Sequence, residues 1–522
     1  MTEGSPEAPS GYSPPDTAAY RAMKNSLYSI VEFAWPIALS LVVTPIVVNG
    51  LGADAFGVLA LVAVTLGLFG LLDLGIGGAA VRAVAQHHGQ GDLDAAGRVV
   101  GTVVTAYLLI GIVGGVVIAV ATPLLVTTLL SIPPGLQPAA TIAFLAAALG
   151  FPVSLLVGAF ASIPKAVQRF DRSTRVAVVF STVGPIMTAA LVVAGLGIPA
   201  IAIAGLGMNV VALVVYYRVG RGLLGGAPIP LGIDRALFRE LAAFGGWFLI
   251  ASIGIAMLYQ VDKLLIGALL SVAAVTFYVV PGNLANRIQG FLGAATLVVF
   301  PASSSLMASA RHDALARLYR DGTRLTFLLA MTLGVPMAIF AEPFLRYWLG
   351  PDFADQSATA MVILVATYVL LGLTGIAWGL AFGTGRARVN ALFALAMGAI
   401  DIVLVLLLVG PYGIEGAAFA YLASAVLGAP ALIWTIERGV VGLTGLAFLR
   451  QYARVLPAVA VQVVIAVLLR QVAVGLPLTL ATMAAAAAAL PVLYLLLGLA
   501  TPGDRELLGQ LIARLRQVRL PG

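Results

Sequence analysis

Apolar runs of about twenty residues recur along this chain from Leu27 to Ala500, separated by short clusters of Arg, Lys, Gly and Pro. A helix of that length crosses ~30 Å of hydrocarbon at 1.5 Å per residue, and a soluble amphipathic helix would show a polar face that these runs lack. Divided at the charge clusters and Gly/Pro turns, the pattern predicts fourteen transmembrane helices, over 28–50, 55–80, 98–122, 139–161, 174–195, 198–217, 240–269, 274–306, 324–345, 357–382, 389–410, 414–437, 453–472 and 476–500. The seventh and eighth are long enough to tilt or to project beyond the bilayer. The expected fold class is an all-α polytopic membrane protein.

Composition agrees and narrows the chemistry. Of 522 residues, 61% are hydrophobic and 10% charged, against about 25% charged in a soluble domain. Cys is absent, which excludes disulfides, thiol catalysis and cysteine metal sites. His87, His88 and His312 are the only histidines, and all fall in short polar loops, so a histidine metal cluster inside the membrane is excluded as well. No Gly-Lys dipeptide occurs, hence no P-loop to drive transport by ATP hydrolysis. No cofactor is expected beyond a coupling ion. Residues 1–20 are acidic and rich in Pro, Ser and Gly, which predicts a disordered cytoplasmic tail over 1–26 and makes the first apolar run a retained anchor.

Positive charge tests the helix count, because cytoplasmic loops collect Lys and Arg. With the N-terminus inside, 25 of the 29 basic residues fall on one face, among them Arg82, Arg98, Lys165, Arg169, Arg218, Arg221, Arg235, Arg239, Arg311, Arg386, Arg438 and Arg450. Arg346 and Arg470 fall on the opposite face, and Lys263 and Arg287 lie within spans. A miscounted helix would scramble this alternation. The net charge of +7 therefore reads as topology and gives no support to nucleic-acid binding.

The chain also reads as a duplication. Six helices precede the basic linker 218–239, and both FGGWFLIASIG and EFAWPIALSLV open a set; GIPAIAIA at helix six matches GIEGAAFA at helix twelve. An even number of helices per half makes the repeat parallel, related by an axis along the membrane normal, with a cleft expected between lobes. The organisation expected is an N-lobe over 27–217, the linker, a C-lobe over 240–438, an appended helix pair over 439–500 and an amphipathic cytoplasmic tail over 501–522, which suits an anionic inner leaflet.

Charges inside spans point to function, since each costs about 2.5 to 3.5 kcal/mol at mid-bilayer and such groups face a bundle interior or a wet cavity. Within YQVDKLLIGALLSVAAVTFYVVPGNLANR (259–287), Arg287 with Asn283, Asn286 and Gln289 offers a fork of donors suited to a diphosphate or to sugar acids. A structural alternative is an Arg287–Asp262 ion pair joining two helices. Lys263 stands ~100° round the helix from Asp262, so the two are not expected to face each other and Lys263 is expected to snorkel outward unless it meets substrate. Tyr259 and Trp378 are candidates for stacking on sugars. Asp73 and Asp401, each deep in a span, are candidates for H⁺ or Na⁺ coupling, although Asp73 in LLDLGIGG also suits a helix-to-helix hydrogen bond.

LGADAFGVLAL (51–61), LLDLGIGGAAVR (71–82), YQVDKLLIGALLSVAAVTFYVV (259–280) and VFPASSSLMAS (299–309) resemble the Wzx-type polysaccharide or O-antigen flippases of the multidrug/oligosaccharidyl-lipid/polysaccharide exporter superfamily. That resemblance implies two six-helix lobes, alternating access, and transfer of an undecaprenyl-diphosphate-linked oligosaccharide across a bacterial plasma membrane, with membrane lipids and a polysaccharide polymerase or glycosyltransferases as partners. The last two helices look like the pair that lines a lipid-tail groove in lipid II flippases. A drug/cation antiporter of the same superfamily remains an alternative, although it would prefer an acid-lined cavity. A membrane glycosyltransferase or polymerase is a further one, although no connection here is large enough to hold an acceptor.

Overall fold

The computed structural model describes residues 35–70, 76–234, 250–296, 299–309 and 311–504, and all regular structure among them is helical. In chain order the helices are α1 (Trp35–Leu51), α2 (Ala53–Phe69), α3 (Ile76–Gly89), α4 (Leu93–Leu124), α5 (Gln137–Ala166), α6 (Phe170–Val193), α7 (Ile198–Leu223) and α8 (Ile250–Leu269). There follow α9 (Val272–Thr296), α10 (Val299–Ala308), α11 (His312–Ile339), α12 (Ala341–Leu349), α13 (Pro351–Leu373), α14 (Gly375–Gly383), α15 (Ala387–Ile436), α16 (Ala447–Arg470) and α17 (Leu476–Leu496). Ten helical stretches among the described residues are long and apolar enough to cross a membrane, and α1 with α2 passes the same test as a pair. The 25-residue α9 is long enough but is not among them, because Asn283, Asn286, Arg287 and Gln289 dilute its apolar character.

The 50 residues of α15 would span ~75 Å if straight, more than twice the hydrocarbon thickness. The helix is broken at Gly413 (φ 59°, ψ −141°), a conformation that suits glycine. A Cβ added to Gly416 would lie 2.1 Å from the Leu408 carbonyl, and one on Gly428 2.2 Å from Met397. Those pairs centre on residue 412, so α15 is an antiparallel hairpin, the eleventh and twelfth spans of the sequence reading.

Packing divides the chain into two compact units. The first falls within Met1–Leu51, Leu72–Thr122 and Thr141–Gly245. In it Trp35 donates its indole N–H to Thr182 (2.6 Å), and Gly50 packs on Val192, which sets α1 parallel to α6. Gly111 meets Pro152 and Gly115 meets Ala148, so α4 and α5 are antiparallel. The first part of the basic linker is strapped along α4. The carbonyls of Pro228 and Pro230 sit where a Cβ on Gly97 or Gly101 would be, at 2.3 and 2.0 Å, and the backbone N–H groups of Gly232 and Asp234 donate to Thr105 and Thr102. Two glycines one turn apart thus form a backbone-sized groove. Arg235 and Arg239 lie outside the described residues.

The second unit falls within Gly52–Leu71, Pro123–Ala140 and Gly246–Gly522. It holds α2 and the 123–140 segment, which the sequence reading places in the N-lobe. The reason is local: Thr276 donates to the Ala53 carbonyl (2.6 Å), Gly57 admits the Val272 carbonyl, Gly67 admits Gln260, and the Ser131 backbone N–H donates to the Gly267 carbonyl (2.9 Å). A seam of Gly372, Gly375, Gly379 and Gly383 runs down α13 and α14 against Leu292, Thr296, Val299 and Ser303, in parallel register.

The appended pair is built firmly into this unit. Both carboxylate oxygens of buried Glu437 accept from the first amides of α16, Ala447 and Phe448, at 3.0 Å each. This cap satisfies two of the amides a helix start leaves unpaired. Phe327 stacks on Tyr452 with centroids 4.3 Å apart, and Phe340 packs with Ala466, Ala473 and Ala486. At the other end of α17, buried Arg324 reaches Asp504 (2.6 Å), Asp321 (2.9 Å), Thr501 (3.0 Å) and Gln451 (3.2 Å), while Tyr494 donates to Asp504 (2.9 Å).

Candidate membrane-embedded polar site

The site grows from a defect in α8. Residues Met257–Val261 form one wide π-turn, which disturbs the regular hydrogen-bond ladder. Immediately after it stand Asp262 and Lys263, 1% and 9% exposed. Asp262 Oδ1 accepts from the Lys263 backbone N–H (2.8 Å) and lies 3.1 Å from Lys263 Nζ; Oδ2 accepts from the Tyr278 hydroxyl of α9 (2.8 Å). Lys263 Nζ also donates to the Tyr259 carbonyl in the π-turn. Both oxygens of Asp262 therefore have partners within the protein, as a buried carboxylate requires.

Asp401 joins this centre through register. Gly254 packs on Ala394 and Gly398 on Met257, so α8 and the first arm of α15 run parallel, and one turn further Asp401 comes level with Asp262. Asp401 is fully buried, and its electrostatic neighbours include Asp262, Lys263, Tyr278 and Tyr368. Neither of its oxygens has a hydrogen-bond partner among the described residues. Tyr259, Tyr368 and Tyr421 close one side as an aromatic triad with centroids 5.6–6.1 Å apart, and the Tyr259 hydroxyl donates to Gln289 of α9 (2.7 Å).

Gln289 and Tyr278, eleven residues apart on α9, share the face turned to this centre. Asn283, Asn286 and Arg287 fall within ~100° on another face of the same helix. Asn283 and Asn286 are exposed there and Arg287 is half-buried, with the small Gly290 and Gly293 continuing the stripe. Arg287 makes no ion pair or hydrogen bond with any described residue, so the Arg287–Asp262 pair does not form: Lys263 and Tyr278 have taken that carboxylate.

The residues singled out in the sequence thus separate into two groups. Arg287, Asn283 and Asn286 lie together on an open face. Tyr259, Asp262, Lys263, Gln289 and Asp401 lie in the buried centre. Lys263 does not snorkel: its four-carbon stem folds back toward the helix N-terminus, as side chains on a helix do, and reaches both a carbonyl loosened by the π-turn and the neighbouring carboxylate. Tyr259 packs among tyrosines rather than offering a ring to sugars, and Trp378 packs edge-on to Phe382. Asp73 lies outside the described residues. Tyr278, Tyr368 and Tyr421 were missed, although a Tyr in an apolar span signals a hydroxyl in need of a partner.

An all-helical multi-span membrane protein with paired charges inside its spans and, on a polar helix face, an arginine that no described residue pairs belongs to the transporter class. The chain belongs to the polysaccharide biosynthesis protein family, whose model matches residues 51–358. It is 21% identical to a Shigella flexneri protein described as an O-antigen transporter, over 80% of this chain and 98% of that one. Among solved structures it shares the fold of the lipid II flippase MurJ in an inward closed conformation (TM-score 0.65, 14% identity, 90% of this chain and 99% of that one). It also shares that of an inward-facing multidrug resistance transporter of the MATE family (TM-score 0.63, 16% identity, 80% and 99%). The fold is that of the multidrug/oligosaccharidyl-lipid/polysaccharide exporter superfamily, as the resemblance in the sequence implies.

Proposed function

We propose that this protein is a flippase that carries a polyprenyl-diphosphate-linked oligosaccharide, a cell-surface polysaccharide precursor, across the bacterial plasma membrane by alternating access, with no catalysis of its own. The observation that carries the reading is Arg287: an arginine with no ion pair or hydrogen bond to any described residue, beside Asn283 and Asn286, about fifteen residues or ~22 Å along α9. Facing lipid, that stripe would cost several kcal/mol; facing a water-filled passage, it costs little and presents a planar fork matched to phosphate oxygens. The amides and the two glycines beside it leave room and hydrogen bonds for sugar. Membership of the polysaccharide family and likeness to a protein described as an O-antigen transporter support the substrate class. Glycosyltransferases that build the lipid-linked chain and a polymerase that consumes it are the partners this reading requires. N- and C-termini are assigned to the cytoplasm from the distribution of Arg and Lys, and Asp401 is the carboxylate proposed to carry a coupling H⁺ or Na⁺, with Asp73 a second candidate.

Two buried carboxylates favour a cation antiporter as the second reading. Asp262 is already engaged by Lys263 and Tyr278, however, and Asp401 is closed off in the buried centre, whereas Arg287, which has no ion pair among the described residues, stands on an open face. The two separate in proteoliposomes holding a fluorescent lipid-linked oligosaccharide. The flippase exposes the sugar to an external lectin and the Arg287→Ala protein does not. Uptake of an organic cation with no sugar movement would replace the proposal by the antiporter.

A further inference from the structure

The buried centre between α8, α9 and α15 holds two carboxylates and one ammonium at a helix break, and the arrangement of oxygens around that ammonium is the kind that holds an alkali cation. Carbonyls loosened at broken helices, together with carboxylates, are the donors that bind Na⁺ inside membranes. Here the Tyr259 carbonyl of the π-turn and Asp262 Oδ1 both point at Lys263 Nζ, and the fully buried Asp401, whose oxygens have no partner among the described residues, is the next ionisable group. A lysine in a span ordinarily snorkels to the interface. This one is 9% exposed, held by a backbone carbonyl and a carboxylate of its own helix.

We infer that Lys263 is the resident cation of this centre: its ammonium stands where an alkali ion would sit and neutralises Asp262. The pair then carries no net charge, which lowers the desolvation cost of burying both groups. Lys263 is on this view a positioning residue for Asp262 and the π-turn, and substrate does not touch it. The inference does not rest on the flippase reading, because it concerns the folded state.

The test uses the full chain purified in detergent at pH 8, its melting followed by tryptophan fluorescence in choline chloride, NaCl and KCl at equal ionic strength. The native protein is expected to melt at the same temperature in all three salts, and so is Lys263→Arg, which keeps the charge. Lys263→Met keeps the stem and removes the ammonium. It is expected to melt several degrees lower in choline and to regain most of that loss in Na⁺ or K⁺, because an ion that binds only the folded state stabilises it by mass action. Loss of stability in Lys263→Met that no alkali ion restores would overturn the inference. So would selective stabilisation of the native protein by Na⁺ or K⁺, and so would a Lys263→Met protein that cannot be recovered folded in any salt, since cellular K⁺ would already have filled the place of the ammonium.

Discussion

Arg287 and Lys263 are the two cations within the spans, and their surroundings assign them opposite work. Lys263 is consumed by Asp262 and the Tyr259 carbonyl; Arg287 has no partner among the described residues. Replacing Arg287 by Ala should therefore leave insertion and thermal stability intact and cut export at least tenfold, the loss of a bidentate phosphate contact worth about 1.5–3 kcal/mol. Arg287→Lys, a point charge without the fork, should fall between the two. Surface polysaccharide scored against protein in the membrane fraction measures both. Tyr278→Phe should do the reverse: it leaves one oxygen of buried Asp262 unsatisfied and costs about 1–3 kcal/mol of stability, read as a lower melting temperature, before it affects export. The open stripe was legible in the sequence, because 283, 286 and 287 share one helix face by arithmetic alone. The partner of Asp262 was not. Spacing on an ideal helix turns Lys263 away from it, and only the π-turn and a long flexible stem, which carry no sequence signature, bring them together.

At the scale of elements, apolar runs located most of the long helices among the described residues, because a bilayer fixes the length of a helix that crosses it. Their ends were less legible: α4, α11 and α13 begin several residues before the apolar run does, in segments such as LDAAGR and HDALARLYRDGTR. The appended pair was visible as two more runs, but not its anchorage, which depends on Arg324, Asp504 and Glu437, far apart in sequence and set at the polar ends of helices. Asp504 makes this anchorage pH-dependent. Burial alone would raise its carboxyl, but the Arg324 guanidinium, the Thr501 amide and hydroxyl and the Tyr494 hydroxyl hold it below its ordinary value. A carboxyl depressed by folding contributes stability that is present above its unfolded pKa of about 3.9 and is lost as pH falls through the lower folded value. The melting temperature should therefore decline as pH drops below about 4. Asp504→Asn should melt several degrees lower at pH 7 and show a shallower acid decline. An equally steep decline in the variant would mean that other carboxyls carry it.

For the whole molecule, the direction in which neighbouring helices run within each unit bears on the predicted order of crossings. Alternation from a cytoplasmic N-terminus makes odd-numbered spans parallel to one another and antiparallel to even ones. In the first unit α5 and α7, spans four and six, are parallel through Gly150–Leu206, Phe160–Tyr217 and Ile163–Gly220. In the second unit α8 and the first arm of α15, spans seven and eleven, are parallel, as are α11 and α16, spans nine and thirteen, through Arg324–Gln451 and Phe327–Tyr452. Direction alone does not say which end is inside; the distribution of arginine does. Because the chain contains no Cys, every introduced one is unique. Tyr412→Cys at the α15 turn and Val474→Cys between α16 and α17 are exposed positions on the side assigned to the outside. They should react in intact cells with a maleimide that cannot cross the membrane. Gln90→Cys, between α3 and α4, and Leu231→Cys, in the strapped linker, should react only after permeabilisation. Labelling of Leu231→Cys in intact cells would invert the topology and with it the direction of transport. Labelling of Tyr412→Cys and Leu231→Cys from the same side would show that a span had been miscounted between them, since the linker and the α15 turn are separated by five predicted crossings and must lie on opposite faces.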